Sequence, residues 1–177
     1  AIAESIIIYF YSLVKTRALY RGIMEDIYST YTTAATGTAF PFTDVAETRW
    51  SYPYIKELYD AGVVSGTSAT TFSPAANVTR AQFVTMLAGL AGADVSNCPA
   101  TPFRDVPEGA WYAPYVNWAL ANGIVSGTSA VTFSPDASIT RQDMAVMLYS
   151  YTQRFQVHLQ QQPVTPFTDA GSIAAYA

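Results

Sequence analysis

Val78-Thr79-Arg80-Ala81-Gln82 decides how this chain is read. A threonine followed three residues later by glutamine has the spacing of a capping box. The hydroxyl takes a first-turn N–H and the amide reaches back to the cap residue. Behind it Phe83, Met86, Leu87 and Leu90 fall at i, i+3, i+4 and i+7, one apolar helix face. Arg80 opens the helix, and at that position its side chain is expected to point outward beside the unpaired N–H groups and positive dipole end. A cation fixed there is a ready anion site.

The device recurs at Ile139-Thr140-Arg141-Gln142-Asp143, with Met144, Met147, Leu148 and Tyr151 as the apolar face. Sliding the chain by 61 residues (141 − 80) aligns 42–91 with 103–152 without a gap and matches 23 of 50 positions. The chain is therefore built on an internal repeat, and every motif has to be read in both copies.

Each copy reads as loop, helix, loop, helix. The first opens at Phe42-Thr43-Asp44-Val45 and passes Trp50; Pro53 suits a first helical turn and Gly62 its C′ stop. Tyr54, Ile55, Leu58 and Ala61 give that helix its short apolar face. Val63-Val64-Ser65-Gly66 is a brief extended segment, and Thr71-Phe72-Ser73-Pro74 turns the chain into the Thr79 cap. The second copy repeats these parts at Phe103, Asp105, Trp111, Pro114, Gly123, Ser126, Gly127, Phe133 and Thr140, and its last helix is expected to run on through Phe155.

Residues 1–31 carry apolar side chains at three- and four-residue steps, which predicts a long amphipathic helix. Thr16-Arg17-Ala18 echoes residues 79–81, so a partial repeat is the sharper reading; 32–41 is a linker. Residues 167–177 begin a third copy with Phe167-Thr168-Asp169 and stop before a helix is complete. Together the two ends are expected to complete one repeat. The chain starts at Ala1 without methionine or a basic leader, so it reads as processed or as a fragment.

Composition narrows the function. Half the residues are hydrophobic and only 12% charged, about half the usual share, so disorder is not expected. A net charge of −4 argues against nucleic-acid and acidic-membrane partners. Cys98 and His158 are the sole cysteine and histidine, which rules out an intrachain disulfide or thiolate metal cluster and leaves almost no material for a histidine-centred metal site or a Ser-His-Asp triad. No stretch approaches the ~20 apolar residues of a membrane span.

Taken as a set and in order, Phe-x-Asp-Val, a tryptophan, Gly-[Val/Ile]-Val-Ser-Gly, Thr-Phe-Ser-Pro and [Val/Ile]-Thr-Arg resemble S-layer homology domains, strongly over 42–152 and as a stub at 167–177. The resemblance implies a mainly α fold whose loop-helix-loop-helix units pack as a partial pseudo-threefold bundle. It also implies a secreted, non-catalytic module at the bacterial cell wall that binds a secondary cell-wall polysaccharide carrying acidic pyruvate ketals. No cofactor and no metal are expected. On this reading Arg80 or Arg141 holds the carboxylate, and the Thr79 and Thr140 caps and the Ser65 or Ser126 hydroxyls take sugar oxygens. Gly66 and Gly127 let backbone approach closely, and Trp50 and Trp111 offer flat faces to sugar C–H groups. The tryptophans also suit packing anchors between repeats, and Asp44 and Asp105 suit ties within the opening loop. The family's Thr-Arg-Ala-Glu reads Thr-Arg-Ala-Gln and Thr-Arg-Gln-Asp here, and the shorter Asp143 makes the second site the weaker candidate. The competing reading is a structural protein that uses the repeats to assemble into a homo-oligomer, surface-layer lattice or filament, since 13 tyrosines and low charge favour association. An enzyme comes third, because glycoside hydrolysis needs two carboxylates across a cleft.

Overall fold

A computed structural model describes Tyr11, residues 39–157 and residues 168–176. The expected N-terminal helix beyond Tyr11, the Thr16-Arg17-Ala18 echo and Phe167 lie outside these residues. Four α-helices carry the described part: α1 Tyr52–Asp60, α2 Arg80–Ala91, α3 Ala113–Ala121 and α4 Arg141–Arg154, followed by a short 3-10 turn at Ala170–Ser172. Among the described residues no strand forms, only the isolated bridges Thr79 with Ser138 and Ser129 with Thr132. The architecture is mainly helical, as the repeat predicts.

Two compact units divide the chain. One takes the residues up to Val78 together with Thr85–Ala93; the other takes Thr79–Val84 and the residues from Asp94 onward. In the first, α1 starts with proline in its opening turn and stops where Gly62 adopts φ 69°, a left-handed value that costs glycine nothing. Ile55 and Leu58 are fully buried with Phe42, Val45, Val63 and Val64. Phe42 meets Tyr59 at 5.0 Å and Phe72 at 5.4 Å, and Tyr11 stands edge-on to Tyr54 at 4.9 Å. Gly89 lets α2 press against the Gly62 and Val63 carbonyls, which an added Cβ would meet at 2.9 Å.

In the second unit α3 buries Val116, Trp118 and Ala119, and Trp118 stacks on Phe155 at 6.1 Å. Phe155 is the C-cap of α4, so the helix ends where the periodicity placed it. Met147 and Tyr151 are buried on α4, while Met144 and Leu148 are only partly covered. Along α2 the buried set is wider than one stripe: Ala81, Val84 and Ala88 join Phe83, Leu87 and Leu90. A helix apolar on most of its circumference has to be enclosed.

Candidate functional site

Both repeats organise their loops with one carboxylate. Asp44 accepts the Phe72 N–H at 2.9 Å and the Ser73 N–H at 2.7 Å; Asp105 accepts Phe133 and Ser134 at 2.8 and 2.7 Å. Desolvation, the largest single influence, pushes each carboxyl up, but the backbone N–H donors together outweigh it and hold both below the usual carboxylate range. The tie bends the chain sharply, with Ser73 and Ser134 both at φ 59°, a costly value for a residue with a Cβ. Beside it lies a hydroxyl cluster that the sequence reading missed. Thr67 Oγ1 lies 2.7 Å from Ser73 Oγ and 3.2 Å from Thr71 Oγ1, and Thr128 repeats this with Ser134 and Thr132 at 2.8 and 3.1 Å. The signal was present as Thr-Ser-x-x-Thr-x-Ser in both copies.

Gly66 and Gly127 have a structural reason. A Cβ at Gly127 would collide with the Ser129 and Thr132 carbonyls and the Phe103 ring, and one at Gly66 with the equivalent Ser68, Thr71 and Phe42 atoms. The close approach they permit is that of the chain to itself.

The capping box at α2 forms as predicted. Gln82 N–H donates to Thr79 Oγ1 at 3.2 Å and Thr79 N–H donates to Gln82 Oε1 at 2.9 Å. The α4 cap is simpler: Thr140 Oγ1 accepts from the Asp143 N–H at 3.2 Å. The Asp143 side chain is directed elsewhere, 3.4 Å from Arg80 Nη1 and 3.0 Å from the Tyr176 hydroxyl that donates to it.

Arg80 does not point outward, and that expectation is corrected. It is 5% exposed. Its Nε donates to the Phe133 carbonyl at 2.9 Å, Nη2 reaches the Ser126 carbonyl at 3.5 Å, and the guanidinium lies 4.9 Å from the Phe133 ring centroid. Burial pushes its pKa down, while Asp143, Tyr176 and Asp105 favour the charged form. The reason for the inward turn is a set of acceptors 46 to 63 residues along the chain (126 − 80 and 143 − 80), which helix periodicity cannot register. The Arg141 side chain, by contrast, is exposed and has no ion pair or hydrogen bond among the described residues.

Thr79 is partly covered and Thr140 exposed; Ser65 and Ser126 are exposed. Trp50 and Trp111 stand 52% and 58% exposed, so neither is a buried packing anchor. The first turn of α4 also carries the C-terminal residues: Ala174 N–H donates to Gln142 Oε1 at 3.1 Å and Gln142 Nε2 to the Tyr176 hydroxyl at 2.8 Å. The structure thus gathers Arg80, Ser126, Phe133, Asp143 and Tyr176 into one cluster. Among the described residues no group of histidine, cysteine and acidic side chains is placed to hold a metal, and no helix is long and apolar enough to cross a membrane.

Comparison with known proteins is consistent across both repeats. The family profile of the S-layer homology domain matches residues 41–84 and 102–145. The chain is 38% identical over 169 residues to an endoglucanase of Bacillus sp. (strain KSM-635), covering 94% of this chain and 17% of that protein. It is 29% identical over 154 residues to an S-layer protein of Bacillus thuringiensis subsp. finitimus, covering 87% and 18%. A cellulosome-anchoring protein of Acetivibrio thermocellus is 27% identical over 125 residues, covering 68% and 28%. The chain therefore spans less than a third of each of these relatives.

Proposed function

Because the chain belongs to the S-layer homology family, whose domains are cell-surface anchoring modules of S-layer proteins and cell-wall enzymes, we propose that it attaches a secreted protein to the bacterial wall by binding an acidic, pyruvylated secondary polysaccharide without catalysing any reaction. The observation that carries this reading is the pair of tryptophans. Trp50 and Trp111 occupy the same repeat position and are both more than half exposed. A large aromatic left in water twice, at one place in a repeat, suits a face for sugar C–H groups.

The remaining groups fit around that pair. The Ser65 and Ser126 hydroxyls are exposed for sugar oxygens. Arg141 offers an exposed guanidinium for a ketal carboxylate, where a bidentate, charge-assisted pair is the strong form of the contact. Arg80 serves in its buried position by holding the Ser126 to Phe133 loop. Asp44 and Asp105 have both oxygens committed to backbone N–H groups, which argues against their use as acid and base.

Cosedimentation with purified wall sacculi tests this. Wild type should pellet with intact sacculi, and the Trp50→Ala, Trp111→Ala double variant should bind about 10-fold or more weakly, from ~0.5–1.5 kcal/mol for each aromatic face. Pyruvate removal from the polymer should weaken wild type further. Equal binding by wild type and the double variant would overturn the site. Equal binding to treated and untreated polymer would overturn the role of the carboxylate.

A further inference from the structure

The two exposed tryptophans differ in the rings beside them. In the second repeat the ring next to Trp111 is Tyr112, with centroids 5.4 Å apart and planes at 83°. The Tyr112 hydroxyl is committed within the repeat, donating to the Asp105 carbonyl at 3.3 Å. The matching position of the first repeat is Ser51, fully buried and accepting from Arg49 Nε at 3.0 Å. With serine there, the ring that Trp50 meets is Tyr54, in the first turn of α1, at 6.4 Å and 60°. Tyr54 in turn stands edge-on to Tyr11, at 4.9 Å and 89°.

These three rings make a continuous aromatic run, and each of them is wet. Trp50 is 52% exposed, and Tyr54 and Tyr11 are partly exposed, while Ile55 and Leu58 on the same helix are fully buried. The core of this repeat has its own aromatic cluster, Phe42 with Tyr59 at 5.0 Å and with Phe72 at 5.4 Å. The outer run is additional to that core. Neighbouring rings turned by 60° and 89° cannot share one flat partner along their length. They suit a ligand made of successive units, each with an apolar C–H face and each free to turn against the next. Consecutive pyranose rings of a polysaccharide are such units, and each tyrosine adds a hydroxyl that can donate to or accept from a sugar oxygen.

We propose that Trp50, Tyr54 and Tyr11 form an extended subsite for at least two consecutive sugar residues of the wall polysaccharide, whereas Trp111 takes a single one. This rests on the wall-attachment reading and adds to it the length of glycan that the first repeat recognises. The two repeats are then unequal: the first discriminates a stretch of polymer from a free sugar, and the second does not. A monosaccharide cannot span the run, so it competes poorly with the polymer for the first repeat.

Calorimetric titration of the 177-residue protein with oligosaccharides of one, two and four sugar residues, cut from purified wall polysaccharide, tests this. Trp111→Ala serves as the background that isolates the first repeat. In it, affinity should rise roughly 10-fold or more from the one-sugar to the four-sugar fragment, the worth of one or two further aromatic faces. Tyr54→Leu and Tyr11→Leu keep apolar bulk but remove the ring, with folding checked by circular dichroism. Each should cut that ratio to about 3-fold or less, and Tyr11→Phe, which keeps the ring, should restore it. A wild type that binds neither the fragments nor intact sacculi would overturn the wall reading and this one with it. Binding without a gain in length, a gain that either leucine variant keeps, or a gain lost in Trp111→Ala would overturn the extended subsite alone.

Discussion

Replacing Arg80 by alanine should destabilise the protein, and the size of the loss follows from its contacts. The bond to the Phe133 carbonyl at 2.9 Å is charge-assisted, a class that contributes ~1.5–3 kcal/mol. The cation facing the Phe133 ring at 4.9 Å adds ~0.5–2 kcal/mol. Ser126 O at 3.5 Å and Asp143 Oδ2 at 3.4 Å lie at the edge of bonding geometry and add little. Against these, the variant no longer carries the desolvation cost of a buried cation. The net loss is ~2–3 kcal/mol, or ~4–12 °C in Tm for a chain of this size. Arg80→Lys should recover only part of it, since an ammonium cannot reproduce the planar fork. Arg141→Ala should stay within ~0.5 kcal/mol because the side chain is exposed and has no partner among the described residues. Urea and thermal unfolding followed by tryptophan fluorescence and circular dichroism measure all three. An Arg80→Ala protein melting within ~1 °C of wild type, or losing no more than Arg141→Ala, would refute the reasoning.

Thr79→Ala should cost ~1–2 kcal/mol and Thr140→Ala about half that, since Thr79 and Gln82 bond reciprocally and Thr140 makes a single cap; equal losses in denaturant titrations would count against this. Gly127→Ala should cost ~2–3 kcal/mol through overlap with the Ser129 and Thr132 carbonyls. Gly123→Ala should cost ~1 kcal/mol from its φ of 67° in open space, and the reverse order in thermal melts would refute the packing account. Asp105→Asn should lose ~1–2 kcal/mol at pH 7, after allowance for solvent screening at a half-exposed group. The folded carboxyl lies below its unfolded value of ~3.9, so its contribution is full above that pH and fades as pH falls through the folded value. The gap to wild type should therefore narrow below about pH 4, and a constant gap from pH 7 to pH 3 in urea titrations would contradict the assignment.

What was legible in the sequence was whatever is encoded within a few residues. The Thr79 box, the proline starts, the Gly62 and Gly123 stops and the end of α4 at Phe155 all depend on local geometry, and the helices follow them. Asp44 and Asp105 were legible as loop ties because aspartate beside a turn has few other uses. Arg80 was misread for the opposite reason: a helix wheel records which residues share a face but not a carbonyl 53 residues away. Asp143 illustrates the same limit. As a shortened cap partner it looked like a weakened copy of Gln82, yet its length suits the span to Arg80 and to Tyr176. Trp50 and Trp111 suit packing or stacking by sequence, and their exposure in the structure argues only against a buried packing anchor.

The carboxylate ties have a kinetic consequence. Asp44 and Asp105 each close a loop of 28 residues onto Phe72 and Phe133, whereas Arg80 reaches Phe133 across 53. Closing the longer span costs only ~0.6 kcal/mol more entropy for each doubling of length, but it needs a finished loop to close upon. The carbonyl that Arg80 seeks is aimed only after Asp105 has bent the chain at Ser134. On this order folding should proceed from within each repeat outward, with the arginine expected to arrive after the rate-limiting step. An interaction formed that late governs how fast the native state is left rather than how fast it is reached. In stopped-flow experiments, truncating Arg80 should steepen escape and leave refolding nearly untouched, while Asp105→Asn slows refolding itself.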